Sequence, residues 1–464
     1  MHFSGTRFSR SFCGVGLLAI LPALPSSAPA GDAAAGGSTI TIALGGDLIG
    51  PIHPMNRAGD PRLQAVARLF LDADVGFANQ ENSVFDLGSF TGHPAAETGG
   101  GYPLRVSAHA RDAKDMGLSM VSVANNHATD FGPEGLIATL KSLSAAGLVY
   151  GGAGLSEGAA RGPAYLDTPK GAVALVATAS TFTPSSVAGG PVERHGASSK
   201  QRPGISPLHV RKVRLLPPEM FRSLKEIGGP LAMTEGSAIR IGDQLFRQDK
   251  DAGTRWEMKP SDEEAILGAV KEADSRAGLV VFSIHAHETA GEDSSRPVPF
   301  FPMVLAYANE AASPDDPRPA NFEIELFHAA IDRGADVVAR HGPHVIGGIE
   351  IYNGKPIFYG LGSLFLDFDG AREFDTPDGE RIVVPDSWFD SFVPVCTFVS
   401  GKLQSITLHP IAIEPARGAR SGSPALASGK QAQAILNRLK ELSAGFGTSI
   451  TVTGDLGIVQ IPST

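Results

Sequence analysis

The chain has 464 residues, 42% of them hydrophobic, and carries 39 basic against 49 acidic side chains, for a net charge of -10. That size and apolar content support a substantial core in one large domain or two, and exclude global disorder. The acidic balance argues against nucleic acid as a partner, since such binders present a basic surface, and it specifies no substrate.

The N-terminus reads as a processing segment. Arg7 and Arg10 precede the apolar run CGVGLLAILPAL, and Ala28-x-Ala30 offers a cleavage signal, so residues 1–30 are expected to be a secretory signal peptide. Export to the periplasm or the extracellular space follows; an uncleaved N-terminal membrane anchor is the alternative. Residues 31–37 form a small-residue linker. Cys13 falls in the signal, which leaves Cys396 alone and no internal disulfide, so stability must come from the core.

From residue 38 the pattern becomes regular. STITIALGGDLIG (38–50) is a strand ending in a Gly-Gly-Asp turn. PRLQAVARLFLDADVGFANQENSV gives an amphipathic helix, a strand and a polar loop. VSAHARDAKDMGLSMVSVANNH repeats that plan, with Gly117 ending the helix. A further helix and strand follow in PEGLIATLKSLSAAGLVYGGAG, and GAVALVATAST is a buried strand. Alternation of this kind predicts an α/β fold with helices on the sheet faces.

Residues 186–260 are less regular and read as an insertion or lid, with room for a small hairpin. SDEEAILGAVKEADSRAG then opens with a Ser261/Glu264 capping box, and the strand LVVFSIHAHE follows. Next come the helix FEIELFHAAIDRGA, the strand DVVARHGPH and a hairpin turning at Asn353-Gly354. The domain runs to about residue 420, with a helix and a terminal hairpin in 421–464.

Polar clusters stand just past the predicted strand ends, the edge where open α/β sheets bind ligands. They are Asp47; Glu81; Asn125, Asn126 and His127; His285, His287 and Glu288; and His341 with His344. Carboxylates, an amide oxygen and imidazoles suit Mn, Zn or Fe, and no cysteine lies near to favour a thiolate-seeking ion. Each cluster alone is ordinary: a Gly-Gly-Asp turn, a loop glutamate, a core histidine. Together they point to one or two divalent transition metals, and a carboxylate-bridged pair suits neutralising a phosphate-like transition state.

The order Asp, acidic loop, Asn-His, lone His, His-x-x-His resembles the calcineurin-like metallophosphoesterases, and more narrowly the CapA family of poly-γ-glutamate capsule biosynthesis proteins. The stretches GGDLIG, ANQENSV, VANNHATDFGPEGLIATLKSLSAAGLVYGGAG, RPGISPL, FSIHAHE and GADVVARHGPHVIGGIEIYNGKPIFYGLGSLF carry the likeness. The resemblance implies a four-layer α/β/β/α sandwich with the site at its top edge. It implies Asp47, Glu81 (in a bridging position), Asn126, His285, His341 and His344 as metal ligands, and His127 as general acid or charge stabiliser. Asn125, Arg202, Arg340, His287 and Glu288 are candidate substrate contacts.

Departures bear on function. Phosphoesterases carry Asp-x-His where this chain has Asp47-Leu48-Ile49, so one ligand is missing, and Arg340 stands where the CapA pattern has Gly. Two functions are therefore expected as alternatives. One is a metal-dependent hydrolase acting on a phosphoester or an acidic polymer. The other is a non-catalytic metal- and polymer-binding component working with membrane-bound synthase or export subunits.

Overall fold

Strand alternation decides how the layers stack. In the strand Gly171–Ala179, Val173, Leu175 and Ala177 join one core, and Ala174 and Val176 join another. Leu279–His285 and Val337–His341 split the same way. Val281, Val337 and Ala339 enter the first core; Val280, Phe282, Ile284 and Val338 enter the second. A sheet buried on both faces reads as a continuous apolar run, and only its parity separates the faces.

The computed structural model describes residues 38–50, 60–95, 103–192, 200–290, 317–368, 370–375, 381–418 and 420–462. The segments expected to be signal peptide and linker, with Cys13, lie outside them. A six-stranded sheet runs Ile349–Tyr352, Lys355–Phe358, Val337–His341, Leu279–His285, Gly171–Ala179, Ala164–Thr168. The ten-stranded sheet centres on Thr39–Ile49. Parallel strands Val75–Gln80, Met120–Ser122 and Val149–Gly151 extend it on one side, and antiparallel Asp390–Val399 and Lys402–Ile413 on the other. The terminal hairpin Ile450–Thr453/Leu456–Val459 completes that second edge.

The first core fills the space between the sheets: a Cβ on Gly151 of one would meet Leu175 of the other at 3.0 Å. On the far side of the ten-stranded sheet, a Cβ on Gly45 would meet Phe70 of the helix Pro61–Leu71 at 3.2 Å. The second core packs the six-stranded sheet against helices Pro260–Asp274 and Asn321–Asp332. Helix, sheet, sheet, helix is the expected sandwich. The Asn353-Gly354 hairpin also forms, with both turn residues at positive φ. Among the described residues no helix is long and apolar enough to cross a membrane, and Cys396 is buried and free.

Two expectations need correction. The segment read as an insertion with room for a small hairpin holds a five-stranded sheet, Met233–Glu235, Ala238–Ile241, Gln244–Gln248, Val210–Leu216 and Gly253–Met258, plus the helix Pro218–Gly228. Its own apolar cluster is small, Val213, Ala238 and Leu245 with partly buried Leu215, and its strands are rich in charge. Arg211 and Arg240 pair with Glu235, and Arg247 with Glu257. Surface ion pairs replace the apolar periodicity that a sequence reading relies on. Second, the helix expected to start at a Ser261 capping box instead begins at Pro260 with Lys259 as N-cap and no side-chain cap bond. Proline's fixed φ suits the first helical position and takes it.

Candidate metal centre

Asp47 is placed by a collision that glycine avoids. A Cβ on Gly46 would lie 2.0 Å from the Gly362 carbonyl, the same carbonyl that accepts the Asp47 N–H at 3.1 Å. The register of Thr39–Ile49 shifts between Leu44 and Asp47 at this point. Asp47 is fully buried and its carboxylate is crowded with donors. It accepts from Asn79 Nδ2 at 2.8 Å and from the Gly342 N–H at 3.1 Å, and lies 3.4 Å from His341 Nδ1 and 3.1 Å from His344 Nδ1. Burial works to raise its pKa, but the contacts with His341 and His344 outweigh it and hold the carboxyl well below the usual range.

Glu81 has the opposite surroundings. It is 0% exposed, and among the described residues no donor group reaches either carboxylate oxygen, its close polar neighbour being the Asp47 carboxylate. Burial first, then the charge of Asp47, push its pKa well above the ordinary value. Its Oε1 lies 3.7 Å from His285 Nε2 and 3.8 Å from His344 Nε2. Two groups of ligand atoms therefore share it, each within 4.8 Å: Glu81, His285 and His287, and Asp47, Glu81 and His344.

The imidazoles are suited to the ligand role. His285 and His287 are buried with their Nε2 atoms 3.0 Å apart. Burial first pushes the His285 pKa well below its usual value, and burial, then His344, push His287 down to about 3. Both rings are held neutral, the form that binds a cation. His344 sits at φ 57, a left-handed conformation costly for a side-chain-bearing residue, and Ser363 Oγ lies 3.3 Å from its Nδ1. A buried, unsatisfied carboxylate beside the neutral imidazoles of His285 and His287 is a donor set that fits a divalent ion.

The structure thus brings Asp47, Glu81, His285, His287, His341 and His344 to one place, at the ends of parallel strands. His341 stands beside Asp47 but outside both triads. Asn126 and His127 are buried on the adjoining turn, and His127 Nδ1 lies 2.8 Å from Asp130 Oδ2.

The candidate substrate contacts fare differently. His287 joins a ligand triad. Asn125 is an organiser: its Oδ1 accepts the His127 N–H at 3.1 Å, and its Nδ2 donates to the Gln80 carbonyl at 2.8 Å and to Asn79 Oδ1 at 3.3 Å. The Glu288 carboxylate accepts from Ser180 at 2.7 Å and from Thr181 at 3.2 Å, and so ties loops together. Arg202 is exposed on Lys200–Arg202, its side chain over Gly189. Arg340 is neither a solvated charge nor a cleft residue. It is 1% exposed and 2.5 Å from Glu323 Oε1, because its neighbour His341 takes the cleft-facing side of the strand.

Sequence reasoning missed Asn79, which links Asp47 to His285 Nδ1 (3.3 Å), and Trp388, whose ring lies 4.8 Å from that of His344. It also missed Asp130, although three residues on from His127 was a signal within the quoted stretch.

Fold and site define a sandwich protein with buried His/Asp/Glu groups compatible with a divalent metal site. The chain belongs to the bacterial capsule synthesis protein family PGA_cap, whose pattern matches residues 28–299 and 305–367. An uncharacterized protein of Sinorhizobium fredii (strain NBRC 101917 / NGR234) is 31% identical over 86% of this chain and 89% of its own length. The PGA biosynthesis protein CapA of Bacillus subtilis (strain 168) is 24% identical over 57% of this chain and 46% of that protein. A novel phosphatase from Mycoplasma pneumoniae is similar at 12% identity and TM-score 0.37, covering 81% of this chain and 94% of its own.

Proposed function

We propose that the protein is an exported, metal-dependent hydrolase of phosphoesterase type that serves synthesis of a capsular polymer such as poly-γ-glutamate. The observation that carries this is Glu81: a buried carboxylate, shared by two histidine-bearing triads, with no donor of its own. Asp47, Glu81 and His344 would hold one divalent ion, and Glu81, His285 and His287 a second, with Asn126 and His341 completing the shells. The ions, of Mn, Zn or Fe type, would supply Lewis-acid activation and charge neutralisation. Asp130 fixes the orientation of His127, which gives a proton to, or steadies charge on, the leaving oxygen. Asn79 and Asn125 keep Asp47, His285 and the His127 turn in register. The name of the Bacillus subtilis relative supports the polymer setting.

A second reading has one observation in its favour. Leu48 and Ile49, which follow Asp47, are buried and apolar, so the Asp47 triad gains no further ligand from its own turn. The protein would then bind ions and acidic polymer without turnover, beside synthase or export subunits. Metal analysis of the purified protein together with hydrolysis of a phosphodiester reporter under Mn or Zn separates the two. The hydrolase reading expects turnover, reduced about 100- to 10,000-fold in His127→Ala with metal content unchanged. Full metal content with no turnover on any ester or polymer would select the second.

A further inference from the structure

Arg340 is among the largest fully buried side chains in the protein. Its Nε lies 2.5 Å from Glu323 Oε1; one terminal nitrogen donates to the Tyr359 carbonyl at 3.2 Å, and the other to the Glu288 carbonyl at 2.5 Å. Glu323 also accepts the Ala320 N–H at 2.6 Å, at the start of the helix Asn321–Asp332. Glu288 directly follows His287, whose N–H donates to Thr181 Oγ1 at 2.9 Å. The Ala286 N–H between the two histidines donates to the His341 carbonyl at 3.0 Å.

Burying a guanidinium is costly before its partners are counted, and an apolar side chain on this face would avoid that cost. Most neighbours on this face of the sheet are apolar: Val280, Phe282, Ile284 and Val338. What the cation adds is a fork that grips a helix start and two carbonyls at once, which lysine's single nitrogen cannot reproduce.

We propose that Arg340 is a positioning residue for the metal centre: by clamping the Glu288 carbonyl from behind the sheet, it fixes the backbone that aims His285 and His287 at Glu81. This rests on the reading that those side chains hold divalent ions. The clamp reaches the His285–Glu288 segment directly and the Asp47 carboxylate only through the sheet.

The test is calorimetric Mn titration of the purified wild type, Arg340→Lys and the double variant Arg340→Met/Glu323→Gln, with a thermal melt of each metal-free protein. The double variant removes the buried Arg340–Glu323 pair and keeps an acceptor for the Ala320 N–H, so its melting temperature is expected to stay near wild type. Its Mn affinity is expected to fall about 10- to 100-fold, as is usual when a partner behind a ligand is lost. Arg340→Lys is expected to weaken binding at least tenfold. A merely structural role would lower melting temperatures and leave affinity alone. Wild-type affinity in a folded variant overturns the clamp while leaving the metal reading intact; absence of binding to the wild type overturns both. Should the double variant fail to fold, the affinity of Arg340→Lys decides.

Discussion

Glu81 and Asp262 are both buried carboxylates, and the chain treats them in opposite ways. Asp262 is surrounded: the His209 N–H at 3.0 Å, His209 Nδ1 at 2.5 Å, Arg161 at 3.2 Å and Lys259 at 3.4 Å all reach it. Burial works to raise its pKa, but His209 and Arg161 outweigh it and hold the carboxyl below its ordinary value. Glu81 has no such donors, and burial with the neighbouring Asp47 drives its pKa up. A charge that serves the fold is neutralised by the fold. One left uncompensated beside the neutral imidazoles of His285 and His287 is set up for a cation from outside.

The largest effect expected from this contrast is on Glu81→Ala. Both triads lose their shared oxygen, so divalent-ion affinity should fall by more than the roughly 100-fold that follows loss of an outer partner. Isothermal titration with Mn measures it. Asp262→Ala should leave that affinity unchanged and lower stability by about 1–3 kcal/mol, because it strands the groups it satisfied. If Asp262→Ala weakened ion binding as much as Glu81→Ala, the division between the two carboxylates would be broken.

The same contrast has a pH signature of opposite sign. A carboxyl whose folded pKa is raised favours the folded state below its unfolded value, about 4.3, and that contribution is lost as pH rises towards the folded value. Glu81 is of this kind. Asp262 and Asp47 have lowered values, so their contribution is present above about 3.9 and is lost as pH falls through the folded value. In urea melts of the metal-free protein, the Glu81 contribution should therefore fall as pH rises above about 4.3, against an opposite rise from His285 and His287, whose values are lowered, and Glu81→Gln should remove the falling part. Saturating Mn should abolish it in the wild type, because the cation stabilises ionised Glu81. A slope unchanged by Glu81→Gln would mean another group titrates there.

How far the sequence revealed this centre depends on where each residue stands. Asp47, Glu81, His285, His341 and His344 follow strand runs directly, so placing the strands placed them on one edge. Asn79 was hidden because it lies inside the strand Val75–Gln80, in a segment that reads as continuous core. Arg340 was misread for a related reason. A strand buried on both faces gives no polar alternation to say which neighbour faces the cleft, and only the packing assigns His341 to it. The five-stranded sheet within 210–258 escaped because charged side chains, paired across its exposed face, interrupt the apolar alternation of its strands.

A smaller effect concerns the two residues that hold the donor set from behind. Asn79→Ala removes the donor to Asp47 and the contact with His285, and Ser363→Ala removes the contact with His344. Each is expected to cost about 10-fold in Mn affinity, the lower end for such partners, with Asn79→Ala the larger because it touches both triads. Equal affinities for the two variants and wild type would show that packing alone orients the ligands.

The smallest expected signal distinguishes one triad from the other. The chain has two tryptophans, Trp256 and Trp388, and only Trp388 packs on a ligand-type imidazole, with ring centroids 4.8 Å apart from His344. Trp256 packs on Phe322 in the second core, on the helix side of the six-stranded sheet. In Trp256→Phe, emission comes from Trp388 alone, and adding Mn should quench it when the ion binds at His344. In Trp388→Phe the remaining emission should not respond. If calorimetry shows binding while Trp388 emission stays constant, the ion sits with Glu81, His285 and His287. The Asp47 triad would then be the weaker site, as the missing ligand beside Asp47 suggests.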